Sequence, residues 1–210
     1  MTAEIGLTGN VGAGKSTVAR LLAERGAVII DADALARQAT AEPDTVARIA
    51  EAFGDPVAPE GVLDREALAR RVFDDADARA RLEAIVHPRV AALRREAAEV
   101  ARRRTPAPPL IVHDVPLLFE VGLDAAFDAV VVVDAPLEVR AARAARRSGW
   151  DAGEVRRRDA AQMPAEEKRA RADVVLDNAG DEASLAAQID GAWPRLVQAD
   201  RRAGRAPDAP

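Results

Sequence analysis

The sequence predicts an α/β fold of the doubly wound kind, with a five-stranded parallel sheet carrying helices on both faces. Three observations lead there. Short apolar runs recur at 5–8, 27–31, 110–114, 129–134 and 173–177, separated by stretches of helical periodicity. The third and fourth, Leu110-Ile111-Val112-His113-Asp114 and Ala129-Val130-Val131-Val132-Val133-Asp134, are continuous rather than alternating, as strands covered on both faces must be. Finally, the first strand runs into Gly9-Asn10-Val11-Gly12-Ala13-Gly14-Lys15-Ser16-Thr17, which reads G-x-x-x-x-G-K-S and opens a helix.

That junction is the phosphate-binding loop pattern in its proper setting. Glycines let backbone N–H groups converge on phosphate oxygens, and the helix N-terminus adds partial positive charge. Lys15 is placed to reach β- and γ-phosphates, and the Ser16 hydroxyl to ligate Mg²⁺. Of thirty basic residues only Lys15 and Lys168 are lysines, so a lysine at this position stands out from an arginine-rich background. The loop predicts binding of a nucleoside triphosphate; the alternative is a glycine-rich turn that merely joins strand to helix.

After the first helix, Gly26 closes the turn and the second strand ends in Asp31-Ala32-Asp33. Helical pattern then runs over 34–104 with breaks at Glu42-Pro43-Asp44, Gly54-Asp55-Pro56 and Pro59-Glu60-Gly61, too long for a simple crossover and so expected to be an inserted helical subdomain. Thr105-Pro106-Ala107-Pro108-Pro109 stops the last of these helices. A helix is expected over 137–147, then a polar segment, 148–170, reading as a solvent-facing lid without a core of its own. Asp177-Asn178-Ala179-Gly180 turns into a helix over 182–203. The expected organisation is a core of 1–33, 105–147 and 171–204, a helical substrate domain of 34–104, a lid of 148–170 and a disordered tail of 205–210.

Composition narrows the function. A net charge of −5 exerts no general pull toward nucleic acid or anionic membrane, and a chain without cysteine has neither disulfides nor thiolate metal sites. Met1-Thr2-Ala3-Glu4 lacks the basic start of a secretion signal, and the longest plain apolar run, 129–133, is far too short to span a bilayer. A cytoplasmic protein is expected, without nucleic-acid or membrane partners, and monomeric or at most weakly oligomeric.

A second tier of residues bears on chemistry. Asp31 and Asp33 end the second strand; two apart in extended chain they point to one side, where phosphoryl transfer to a hydroxyl needs a carboxylate to take its proton. Either alone also reads as a helix N-cap. Arg140, Arg143 and Arg147 share a helix face, and Arg158 and Gln162 are four apart, a spacing suited to arginines closing over phosphates or, for Arg140, Arg146, Arg156 and Arg157, to a solvated surface. A basic patch for nucleic acid lacks the interleaved aromatics. His87 before Pro88 reads as a structural turn or helix break, His113 is core or site, and Asp114 resembles a Walker-B-type acid. The match of 177–180 to D-x-x-G is accidental, since it falls after the last strand and no N-K-x-D accompanies it.

In this order the motifs resemble the dephospho-CoA kinase family: Gly6-Leu7-Thr8-Gly9 with the loop to Thr17, Asp31-Ala32-Asp33, His87-Pro88, Pro116-Leu117-Leu118-Phe119-Glu120, Arg143 with Arg147, Arg158 with Gln162, Lys168, and Ala172-Asp173 leading to Asn178-x-Gly180. The resemblance covers roughly 3–190 and implies Mg²⁺·ATP-dependent phosphorylation of the ribose 3′-hydroxyl of dephospho-CoA. Carried over by position, Asp33 resembles the general base, with Lys15 and Arg143 as its catalytic companions. Asn10, Val11, Gly12, Ala13, Gly14, Lys15, Ser16 and Thr17 with Arg143 and Arg147 resemble the nucleotide site, with Ser16 on Mg²⁺. Thr8, Asp33, His87, Leu117 and Glu120 resemble the acceptor's pocket. Two features depart from the family: glycine usually stands where this chain has Asn10, and Ser148-Gly149-Trp150 with Arg156 and Arg157 blurs the register of the lid. The competing expectations are a kinase for another nucleotide or nucleoside, and a P-loop switch that hydrolyses nucleotide without phosphorylating a small molecule.

Overall fold

A computed structural model describes residues 2–73 and 75–199, with the side chain of Asp55 left out; the tail expected to be disordered lies outside the described residues. The chain divides into two compact units, one running to Ile30 and resuming at Ala101, the other spanning Asp31–Val100.

The first unit is built on a sheet of β1 (Ala3–Thr8), β2 (Val28–Asp31), β3 (Leu110–Asp114), β4 (Ala129–Asp134) and β5 (Val174–Asp177) in the order β2-β3-β1-β4-β5. β1 pairs in parallel with β3 and β4, and β4 with β5, in registers that set Leu7 opposite Asp114 and Val131. The two most apolar strands thus flank β1, and the carboxyl ends of all three meet where the phosphate loop begins. Alternation divides their side chains between two faces. Ile5, Leu7, Leu110, Val112, Val131 and Val133 pack with Val18, Leu21 and Leu22 of α1 (Lys15–Glu24) and with Leu185, Ile189 and Leu196 of the last helix. On the opposite face Gly6 leaves room for Leu118 and Phe127; a Cβ there would lie 2.4 Å from the first and 2.7 Å from the second.

In the second unit, α2 (Ala32–Ala39), α3 (Pro43–Phe53), 3₁₀ turns at Asp55–Val57 and Pro59–Gly61, α4 (Arg65–Val72) and α5 (Ala76–Arg102) follow one another, α5 ending inside the first unit. The unit has its own core, Val46, Ile49, Val57, Ala58 and Leu68, against which Phe53, Leu82, Ile85 and Val86 pack. Arg89 clasps Glu42 in a two-pronged ion pair. Two expectations are corrected here. Pro88 does not break a helix: α5 runs through it for 27 residues. Pro88 removes one i→i−4 hydrogen bond, but Ile85 and Val86 just before it are held by the unit's core. The Asp31–Asp33 stretch is not extended either. Asp31 ends β2 and caps α2, its Oδ1 accepting from Ala34 N at 3.0 Å, so Asp33 already lies in the first helical turn.

The remaining helices are α6 (Leu137–Ser148), α7 (Ala152–Ala160), α8 (Ala165–Arg171) and α9 (Glu182–Val197). Asp151 and Asp181 cap α7 and α9. α9 stops at Val197 instead of 203. The polar 148–170 segment is not wholly solvent-facing: Val155 and Lys168 are fully buried.

Candidate active site

The phosphate loop is a turn closed on itself. Ala13 N donates to the Asn10 carbonyl at 3.0 Å, and Gly12 and Gly14 take positive φ of 78° and 98°. A side chain at either would collide, at Gly12 with the Arg140 carbonyl (2.6 Å) and at Gly14 with the Asn178 amide (2.1 Å). Glycine is therefore required twice over, by backbone angle and by close approach. Lys15, first residue of α1, folds back so that Nζ donates to the Gly9 carbonyl at 3.3 Å, and Ser16 and Thr17 follow in the first turn.

Two elements complete the cradle. Asn178, just past β5, is buried and donates from Nδ2 to the Ala13 carbonyl at 2.7 Å. Arg143 donates from Nη2 to Asn178 Oδ1 at 3.4 Å. Its Nη1 is buried without a hydrogen-bond partner, 3.9 Å from the position a Gly14 Cβ would take. A buried guanidinium N–H left open beside a loop of this conformation calls for an anion, since an unsatisfied charged donor is costly. Arg147 lies one turn further on and is exposed.

The other face of the loop is clamped. Val11 N donates to Gln162 Oε1 at 2.8 Å, and Asn10 Nδ2 to Asp159 Oδ1 at 2.8 Å. Arg140 is buried rather than solvated, donating from Nη1 to Asp159 Oδ1 at 2.6 Å and to the Val11 carbonyl at 3.2 Å. Burial pushes the Asp159 carboxyl up, but the bonds from Arg140 and Asn10 outweigh it, so its pKa lies below the ordinary value. Arg158 instead stacks on Trp150 at 4.1 Å and pairs with Glu154.

The remaining candidates belong to both units. The Thr8 hydroxyl is buried and donates to the Pro116 carbonyl at 3.0 Å. Leu117 is exposed, while Glu120 receives Lys168 Nζ at 2.8 Å and Met163 N at 2.9 Å. Asp33 and His87 are exposed residues of the helical unit. Among the described residues no three His, Asp or Glu side chains gather into a metal cage. Oxygen groups in this part of the sheet include the exposed Ser16 hydroxyl in the first turn of α1 and the carboxylate of Asp114 at the end of β3, the strand beside β1. Such sparse oxygen donors fit Mg²⁺, which keeps several waters and binds largely through substrate phosphates. Sequence reasoning passed over Asn178 and Asp159 as site residues; only the helix-face spacing with Arg143 pointed toward Arg140.

A parallel sheet with this loop, an open arginine N–H and a clamped second segment defines a P-loop kinase. A family model for dephospho-CoA kinase matches residues 3–184. The chain is 52% identical to the dephospho-CoA kinase of Anaeromyxobacter dehalogenans, over 98% of this chain and 97% of that one, and 52% identical to the Deinococcus radiodurans enzyme over 91% of each. A crystal structure from Thermus thermophilus superposes with a TM-score of 0.81 at 42% identity, covering 93% of this chain and 98% of that one. The dephospho-CoA kinase of Campylobacter jejuni shares the fold, with a TM-score of 0.61 at 22% identity over 92% and 97% of the two chains. The chain belongs to the dephospho-CoA kinase family.

Proposed function

We propose that this chain transfers the γ-phosphoryl group of ATP to the ribose 3′-hydroxyl of dephospho-CoA, giving coenzyme A, as a monomeric cytoplasmic enzyme. Membership of the family supports the reaction, and the observation that carries the nucleotide site is the open, buried Nη1 of Arg143 beside Gly14.

In this reading the amides of Gly12 to Thr17 and Lys15 hold the donor phosphates. Arg143, with Arg147 beyond it, balances charge spread over the transferring group. Ser16 would hold Mg²⁺, which would supply positive charge against the donor phosphates. Asp33 takes the proton of the attacking hydroxyl, and Thr8, His87, Leu117 and Glu120 belong to the acceptor's surroundings. Asp33 is exposed in the first turn of α2, open to an acceptor hydroxyl.

The test is to incubate the protein with ATP, Mg²⁺ and dephospho-CoA and follow coenzyme A by mass, with Asp33→Asn in parallel. Product from the parent, slowed at least about a hundredfold in a folded Asp33→Asn, is expected. Equal rates would remove Asp33 as base and turn attention to Asp31. No product from a folded, ATP-binding protein would move the acceptor to another nucleotide or nucleoside.

A further inference from the structure

Position 10, where the family resemblance leads one to expect glycine, carries an asparagine whose side chain is almost wholly buried. Its Nδ2 meets Asp159 Oδ1, the same oxygen that accepts from Arg140 Nη1. The three side chains come from the loop, from α7 and from α6, and Asp159 is the acid of the set.

We propose that Asp159 is a positioning residue for nucleotide binding, acting through Asn10 and Arg140 to hold the first half of the phosphate loop in its binding conformation. The inference rests on the nucleotide-site reading above. Both backbone polar groups of Val11 are already engaged, N–H by Gln162 and C=O by Arg140. Asn10 Nδ2 also reaches the Met163 carbonyl at 3.3 Å, and Arg140 Nε is fixed on the Ala135 carbonyl at 3.0 Å. The Arg140 backbone lies where any side chain on Gly12 would collide. Residues 10–12 are thus gripped from one side, while none of these grips falls on the amides of Lys15, Ser16 or Thr17.

Such a grip has a physical purpose. Gly9, Gly12 and Gly14 all take positive φ, so the unrestrained loop has much conformational freedom to lose when it orders around phosphate. A contact that orders it beforehand lowers the cost charged to the ligand and so tightens binding. Asp159 is the keystone because Arg140 and Asn10 are both only 4% exposed. Without the carboxylate, a buried guanidinium and a buried amide compete for the carbonyls that remain.

Binding of a fluorescent N-methylanthraniloyl-ATP with Mg²⁺ tests this directly, alongside kinase kinetics at saturating nucleotide. Asp159→Asn is expected to raise the dissociation constant about tenfold while kcat stays within about threefold. Asn10→Gly, which keeps the Asp159–Arg140 pair, is expected to raise it about three- to fivefold, and the double variant to bind no worse than Asp159→Asn, because both act through one contact. Dissociation constants within twofold of the parent, whatever happens to Tm, would reduce the set to structural support and overturn the proposal, as would additive effects. Should Asp159→Asn fail to fold, Asn10→Gly decides by the same binding criterion. A parent that binds no nucleotide removes this proposal and the nucleotide site together; a parent that binds, with unaffected variants, removes this proposal alone.

Discussion

Lys168 holds its ammonium 2.8 Å from a carboxylate oxygen of Glu120 with none of its side chain exposed. A buried lysine is tolerated only beside an acid. Here the acid sits in the turn that follows β3, and the lysine sits on α8, so the pair pins that helix to the sheet. The same Glu120 oxygen takes the Met163 N–H, fixing the start of α8 as well.

Removing one partner of this pair is therefore costly. Lys168→Met, close in volume but uncharged, is expected to destabilise the protein by about 2–4 kcal/mol in urea unfolding, and Glu120→Gln by a similar amount. The double change Lys168→Met with Glu120→Gln should cost clearly less than the sum. Losses below about 0.5 kcal/mol in both single variants would mean that the pair contributes little.

Acid stability should report the same carboxylate. Burial pushes Glu120 up from its ordinary value of 4.5, but bonds from Lys168 and Met163 N–H draw it down further, leaving it depressed in the folded state. A depressed carboxyl adds stability that is fully present above its unfolded value and is lost as pH falls through the folded one. Unfolding free energy should therefore show no loss from this group between about pH 8 and 6, then decline below about pH 4. Glu120→Gln should flatten that acid limb, and an unchanged slope and midpoint would contradict the assignment.

The open N–H of Arg143 makes a prediction about catalysis and not about stability. Arg143→Ala should lower kcat/KM by about a hundredfold or more with only a small change in Tm, because besides the ligand's anion it gives up the long 3.4 Å bond to Asn178 Oδ1. Arg143→Lys keeps the charge but not the planar fork, and should recover only part of the loss. Lys15→Ala should cost about 10²–10³ in kcat. Equal activity in Arg143→Ala would remove that residue from the phosphate site.

Gly9 is a backbone prediction. Its φ is 153°, and a Cβ would stand 2.3 Å from the Val133 carbonyl oxygen of the neighbouring strand. Backbone cannot move aside as a flexible side chain does. Gly9→Ala should destabilise by about 2–4 kcal/mol and weaken nucleotide binding, measured by thermal unfolding with and without ATP. By contrast Gly149→Ala, with open space around it, carries only the strain of its positive φ of 68° and should cost about 1 kcal/mol.

What could be read from the sequence is what local chemistry dictates. The strands at 110–114 and 129–134 were legible because continuous apolar runs suit a sheet covered on both faces. The phosphate loop was legible because its glycines and lysine are contiguous, and positive φ is a property of single residues. Arg143 was legible from helix periodicity, and the family from motifs in a fixed order. The backbone at Asp33 was not legible: the Asp31 side chain caps a helix at once, which no run of apolar residues announces.

The sequence by itself thus determined the sheet, the loop and the reaction class, each encoded in residues close together along the chain. Only the tertiary structure decided that Asn10 meets Asp159 across 149 positions, that Arg140 is buried while Arg147 is not, and that Lys168 anchors a helix. Hydrogen bonds and ion pairs act over about 3 Å in space. Their partners carry no periodicity, so a polar segment reads as solvated until the fold removes the water around it.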